Sequence, residues 1–250
     1  MNTPTPAQLS APVFPPRVPW GVRDILFGLG AALVGIVALN LGLVAINTVA
    51  GNLFEKSGLA LTVFVALQDA IIVGAALLFS LVRYRVGGEM LGLKRFSAVL
   101  GCSMSASLLV VSYFVRLLYG VIAIAFGYRP SVQDVLNRLD TQGIGLLASF
   151  IAVSIIAPFA EEIVFRGFIY GGLRARFGVT LATISSTLFF TALHFSIEQF
   201  IPIFVLGLFL AWLYEKTGSL YPGIILHATN NGVSLLLLAV LRASGALPGF

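Results

Sequence analysis

The sequence predicts an all-α fold, a polytopic transmembrane helical bundle of about seven spans (six to eight). Three observations predict it. The 250-residue chain is 58% hydrophobic and 10% charged, whereas a soluble domain carries about 25% charged residues. Its mean hydropathy is +1.01. Apolar stretches near the roughly 20 residues that cross a hydrocarbon core recur from residue 26 to residue 241. Too little charge remains to solvate a globule of this size, so the expected location is integral to a membrane and the lipid bilayer is an expected partner.

The elements follow in order. Residues 1–20 hold Pro4, Pro6, Pro12, Pro15, Pro16 and Pro19, which reads as an extended or flexible tail. The tail lacks the basic start and apolar core of a signal peptide. Residues 21–250 then form one transmembrane helical domain. Spans are expected near 26–50, 58–82, 98–127, 144–172, 179–196, 199–214 and 220–241. The third and fourth are long enough to tilt, kink or leave the bilayer; the fifth and sixth are short. Phe177-Gly178 marks a turn between the fourth and fifth, because glycine favours a helix stop. The single cysteine, Cys102, excludes an internal disulfide and a cysteine-based metal cluster.

A net charge of +5 does not point to nucleic acid, because the basic residues fall at span ends rather than in one patch. That distribution follows the positive-inside rule. With the amino terminus cytoplasmic, ten basic residues from Arg17 to Lys216 lie inside, or nine if Arg166 is set aside. Lys56, Arg129, Arg138 and Arg242 lie outside. Arg116 falls within the third span and Gln68 and Asp69 within the second; a neutralising Asp69–Arg116 pair is the simplest expectation, since membrane charges tend to pair, and a substrate-binding role is the alternative.

Ionisable groups inside a bilayer are costly and mark functional sites. Glu161 and Glu162 end the apolar run Leu146–Ala160, and Arg166 follows. The only histidines, His194 and His227, also lie in apolar segments. Glu162 and Arg166 are four apart, so they share a helix face and can form an internal ion pair. Glu161 is rotated about 100° away and is the freer carboxylate, a candidate general base. Glu162 lies 16 residues before Gly178 and His194 lies 16 residues after it. Folded about that glycine as an antiparallel pair, both stand about 24 Å from the turn, level on neighbouring helices. His227 and Asn231 share a second face, and both can donate hydrogen bonds to an oxyanion. Asn230 offers a three-residue alternative to Asn231. Together these groups suit amide hydrolysis by an activated water. A serine nucleophile is disfavoured: there is no G-x-S-x-G, and no aspartate lies near either histidine.

The ordered motifs E-E-x-x-x-R at Glu161, Glu162 and Arg166, F-x-x-x-H at Phe190 and His194, and H-x-x-x-N at His227 and Asn231 resemble the CAAX protease and bacteriocin-processing family, also called CPBP or Abi, to which the type II CAAX prenyl proteases are related. Phe165-Arg166-Gly167 with Tyr170 resembles its bacterial members, which implies a bacterial cell membrane. The similarity covers residues 144–240. It implies an all-helical intramembrane endopeptidase acting on a peptide or membrane-protein substrate; in the prenyl branch, three residues are removed after a lipidated cysteine. It also implies that Glu161 and His194 activate water while His227 and Asn231 stabilise the oxyanion. Glu162 and Arg166 complete the candidate catalytic set.

No cofactor is favoured. Zinc, with which the family has been associated, would take Glu161, His194 and His227, since a catalytic zinc has three protein ligands and a water. H-E-x-x-H is absent, however, and Arg166 repels a second cation. The alternative function is a non-catalytic membrane protein that retains the architecture: a transporter, a scaffold or a bacteriocin-immunity factor. A proton-coupled transporter would be expected to show repeated halves with broken helices, which the sequence lacks.

Overall fold

The computed structural model describes residues 17–50, 58–128 and 142–245. Most of the proline-rich tail, and Lys56, Arg129 and Arg138 of the charge reading, lie outside the described residues. All regular structure among the described residues is helical. In chain order it comprises α1 (Val22–Ala50), α2 (Gly58–Leu77) with a π-helical extension Leu78–Val82, a short 3-10 helix Gly88–Leu91, and α3 (Ala98–Ala125). Then come α4 (Gly143–Ile151), a π-helical stretch Ala152–Ile156, α5 (Ala157–Glu162), a second π-helical stretch Ile163–Tyr170, α6 (Gly171–Ala192), α7 (Phe200–Thr217) and α8 (Tyr221–Ala243).

Six helical runs are long and apolar enough to cross a membrane, against the seven expected. The difference lies in the 50-residue run Gly143–Ala192. Straight, it would extend about 75 Å, more than twice the hydrocarbon thickness. Gly178 breaks it, with φ 79° and ψ 178°, a conformation open to glycine because it has no Cβ. The limbs then return on each other. Phe165 packs on Phe189 at 5.9 Å and on Phe190 at 5.1 Å between ring centroids. The fourth and fifth predicted spans are these two limbs.

The bundle is apolar outside and polar inside. Leu26, Leu33, Val34 and Leu41 on α1 and Val110, Phe114 and Leu117 on α3 face outward. Glu162, Arg166, His227 and Asn230 are buried. Only lipid makes that arrangement favourable, so the chain is an integral membrane protein. Small residues let helices approach closely: a Cβ on Gly35 of α1 would meet Ile71 Cγ2 of α2 at 2.7 Å. Ser105 of α3 donates to the Pro222 carbonyl of α8 at 2.8 Å. The last residues before α1 belong to the core. Trp20 is 1% exposed, and its indole N–H donates to the Phe168 carbonyl at 2.9 Å.

The expected Asp69–Arg116 pair does not form. Arg116 on α3 donates to Ser234 Oγ on α8 at 2.9 Å and lies over the Tyr113 ring. α3 packs on α7 and α8, whereas α2 packs on α1, α4 and α5. α2 and α3, though consecutive in sequence, therefore do not pack closely together, and Asp69 lines a cavity instead.

Candidate active site

Two departures from α-helical geometry place the acidic pair. Pro158 has no backbone N–H. In the π register of residues 152–156, residue 153 would pair with residue 158. The Val153 carbonyl instead accepts Asn231 Nδ2 at 3.1 Å, so a proline on one helix anchors an amide on another. The second π stretch begins directly after Glu162, and all eight of its residues are buried. π turns concentrate at functional sites; this one carries Arg166 into the bundle centre.

Glu162 and Arg166 form the ion pair their spacing predicts, Nη1 to Oε1 at 3.0 Å, with side chains 1% and 2% exposed. A second guanidinium N–H donates to the Gly207 carbonyl at 3.2 Å. The Phe190 ring lies beneath the guanidinium carbon at 4.4 Å. α7 comes this close only because residue 207 has no side chain. A Cβ there would sit 2.7 Å from Thr187 Cγ2 and 3.4 Å from Arg166 Nη2. Gly207→Ala is therefore expected to lose about 1–3 kcal/mol through overpacking, read as an earlier unfolding midpoint in detergent. An unchanged midpoint would show that α6 and α7 are not held at this separation.

His227 of α8 stands between the two carboxylates. Its Nδ1 is 3.3 Å from Glu162 Oε1 and its Nε2 is 3.6 Å from Glu161 Oε2. That Glu161 oxygen is buried and has no hydrogen-bond partner, while the side chain as a whole stays 26% exposed. The structure thus brings Glu161, Glu162, Arg166 and His227 together. His194 lies just beyond the end of α6 rather than within a helix, in a turn followed by Phe195 at φ 48°. Its Nδ1 is 2.8 Å from the Phe190 carbonyl, and its ring meets Phe190 edge-on at 4.6 Å. The Phe190 ring also approaches His227 at 5.8 Å between centroids, so both imidazoles pack against one aromatic ring. Asn231 sits one turn beyond His227, its Oδ1 accepting from Asn230 Nδ2 at 3.3 Å.

Glu161 and His194 border a common cavity of about 810 Å³ between α1, α2, the second π stretch and the α6–α7 turn. Its wall is mostly apolar, with Gln68, Asp69, Ser196 and Glu198 as further polar members. The sequence offered Gln68 and Asp69 a substrate-binding role only as the alternative to a neutralising pair, and it gave no signal for Ser196 or Glu198. Among the described residues, no three His, Cys, Asp or Glu side chains are grouped to hold a metal ion. The cation beside the acidic pair is Arg166.

The comparisons bear on this same region. Residues 143–233 match the family model for type II CAAX prenyl endopeptidase Rce1-like. Over that segment the chain is similar to the Rce1-like model. The matched segment contains Glu161, Glu162, Arg166, His194, His227 and Asn231, the residues of the three motifs that carry the resemblance. UPF0177 protein YxdF of Lactococcus lactis subsp. lactis (strain IL1403) is 25% identical over 101 residues, covering 40% of this chain and 52% of that protein. The chain thus spans about half the length of the curated relative it matches. No solved structure matches it.

Proposed function

We propose that the chain is an intramembrane endopeptidase that hydrolyses a peptide bond through an activated water. The observation that carries this reading is Glu161, which presents a partnerless carboxylate oxygen to His227 beside the cavity. A 3.6 Å separation is wide for a direct hydrogen bond, which leaves this Glu161 oxygen uncommitted to His227. Similarity to the Rce1-like model over residues 143–233 supports the reaction class.

In this mechanism Glu161 takes a proton from water while His194, on the same cavity wall, orients it. The hydroxide adds to the scissile carbonyl carbon, and the carbonyl electron pair moves onto oxygen. His227 and Asn231 donate hydrogen bonds to that oxyanion, the interaction that usually contributes most to such reactions. The tetrahedral centre then collapses and the C–N bond breaks. The departing nitrogen takes the proton held by Glu161, leaving a carboxylic acid and an amine, which become carboxylate and ammonium when the acid's proton passes to the amine. Glu162 holds His227 Nδ1 and Arg166, which fixes the imidazole orientation.

The proposed mechanism uses no metal. Arg166 already occupies the electrostatic place of a cation beside Glu162, and like charges repel strongly in a dry site. Treatment with a zinc chelator, followed by metal analysis, is expected to leave the cleavage rate unchanged. Activity that falls on chelation and returns with zinc would overturn this part. We also place the amino terminus on the cytoplasmic side, from the lysine and arginine bias.

The testing experiment incubates the purified protein in lipid nanodiscs with a peptide library and reads products by mass spectrometry, alongside His194→Ala. Cleavage by the wild type that is lost in the variant is expected. No cleavage of any peptide would favour a non-catalytic membrane protein. Undiminished cleavage by the variant would remove His194 from the mechanism.

A further inference from the structure

The cavity beside Glu161 carries one sign of formal charge. Among the described residues, its wall holds three carboxylates, Glu161, Asp69 and Glu198, and no lysine or arginine. The nearby Arg166 guanidinium is committed to Glu162 and to the Gly207 carbonyl. His194 Nδ1 faces the Phe190 carbonyl. Most of the remaining wall is hydrocarbon, including Leu29, Leu33, Ile36 and Val65. An occupant therefore meets apolar surface with acidic groups set into it.

Asp69 is the member that the hydrolytic mechanism leaves unused. It lies on α2, inside the span Thr62–Val82. Its Oδ2 is buried and has no hydrogen-bond partner. Arg116, the cation expected to neutralise it, is bonded to Ser234 on the far side of the bundle. Leaving a buried acceptor unsatisfied costs about 1–3 kcal/mol, more if it is charged. A carboxyl on a membrane helix marks a functional position by default. A structural carboxyl would be expected to bond a group of the protein. Asp69 instead lines the cavity, the space that the proposed substrate enters.

We infer that Asp69 is a specificity-determining residue. It receives a cationic group, the side chain of a lysine or arginine, from an otherwise apolar peptide whose scissile bond lies at Glu161. The inference rests on the peptidase reading for the position of that bond. The same acidic wall disfavours a substrate that places a carboxylate in this cavity.

The test uses the full chain in lipid nanodiscs and two sets of apolar peptides. In one set a single lysine is scanned through every position; in the other norleucine takes its place. Backbone N-methylation makes a copy of each peptide uncleavable, and its binding is read by fluorescence anisotropy. Cleavable copies give kcat/KM. The best lysine peptide is expected to bind wild type about 10- to 100-fold more tightly than its norleucine partner, the range for a charge-assisted hydrogen bond. In Asp69→Asn that ratio is expected to fall to near one, and in Asp69→Lys the preference is expected to pass to a glutamate peptide. The unfolding midpoint of Asp69→Asn is expected to stay level or rise, because a neutral amide is easier to bury. A purely structural Asp69 would lower it. A wild type with no lysine preference, or a preference that survives Asp69→Asn, overturns the inference. Lysine-selective binding without cleavage would overturn the peptidase reading alone. Cleavage without selectivity would overturn the role of Asp69 alone.

Discussion

Glu161→Gln is expected to lower kcat for peptide cleavage by about 10²- to 10⁴-fold, the usual contribution of a positioned general base. The substitution keeps the size of the side chain and one carbonyl oxygen, so substrate binding is expected to change far less than kcat. It also removes a carboxylate from a site where Oε2 has no hydrogen-bond partner. The unfolding midpoint should therefore hold or rise while turnover collapses. That opposition separates a catalytic group from a structural one, whose loss would lower both. A variant that keeps wild-type kcat would remove Glu161 as the base, and with it the proposed mechanism.

Arg166→Ala is expected to have the largest effect on stability. Arg166 is 1% exposed and Glu162 is 1% exposed, and their ion pair closes at 3.0 Å. Truncating the arginine leaves Glu162 as a buried carboxylate facing only His227, a loss of about 3–5 kcal/mol for a broken buried pair. The expected result is a large fall in the detergent unfolding midpoint and in the yield of folded protein. The double variant Glu162→Gln with Arg166→Met should recover much of that stability, because replacing both partners removes the unpaired charge. It should not recover activity, since His227 loses the carboxylate that orients its Nδ1. A stable Arg166→Ala protein would mean that the pair is not buried in the membrane-embedded state.

Much of this molecule was legible one helix at a time. Hydropathy and length delimit the spans because the bilayer imposes a thickness on every apolar run. Gly178 announces the hairpin because only a residue without a Cβ readily takes the backbone found there. The Glu162–Arg166 pair follows from four-residue spacing alone. These are properties of a chain's neighbours in sequence, and they also indicate which polar side chains the membrane would force inward.

Other features depended on which helices touch. His227 faces both carboxylates because α8 packs against α5. Asn231 is held by the Val153 carbonyl, 78 residues away, where Pro158 provides no N–H. Asp69 turns to the cavity and Arg116 to Ser234 because α2 and α3 pack in different parts of the bundle. Periodicity assigns a side chain to a face of its own helix; only close packing between remote segments decides what that face meets.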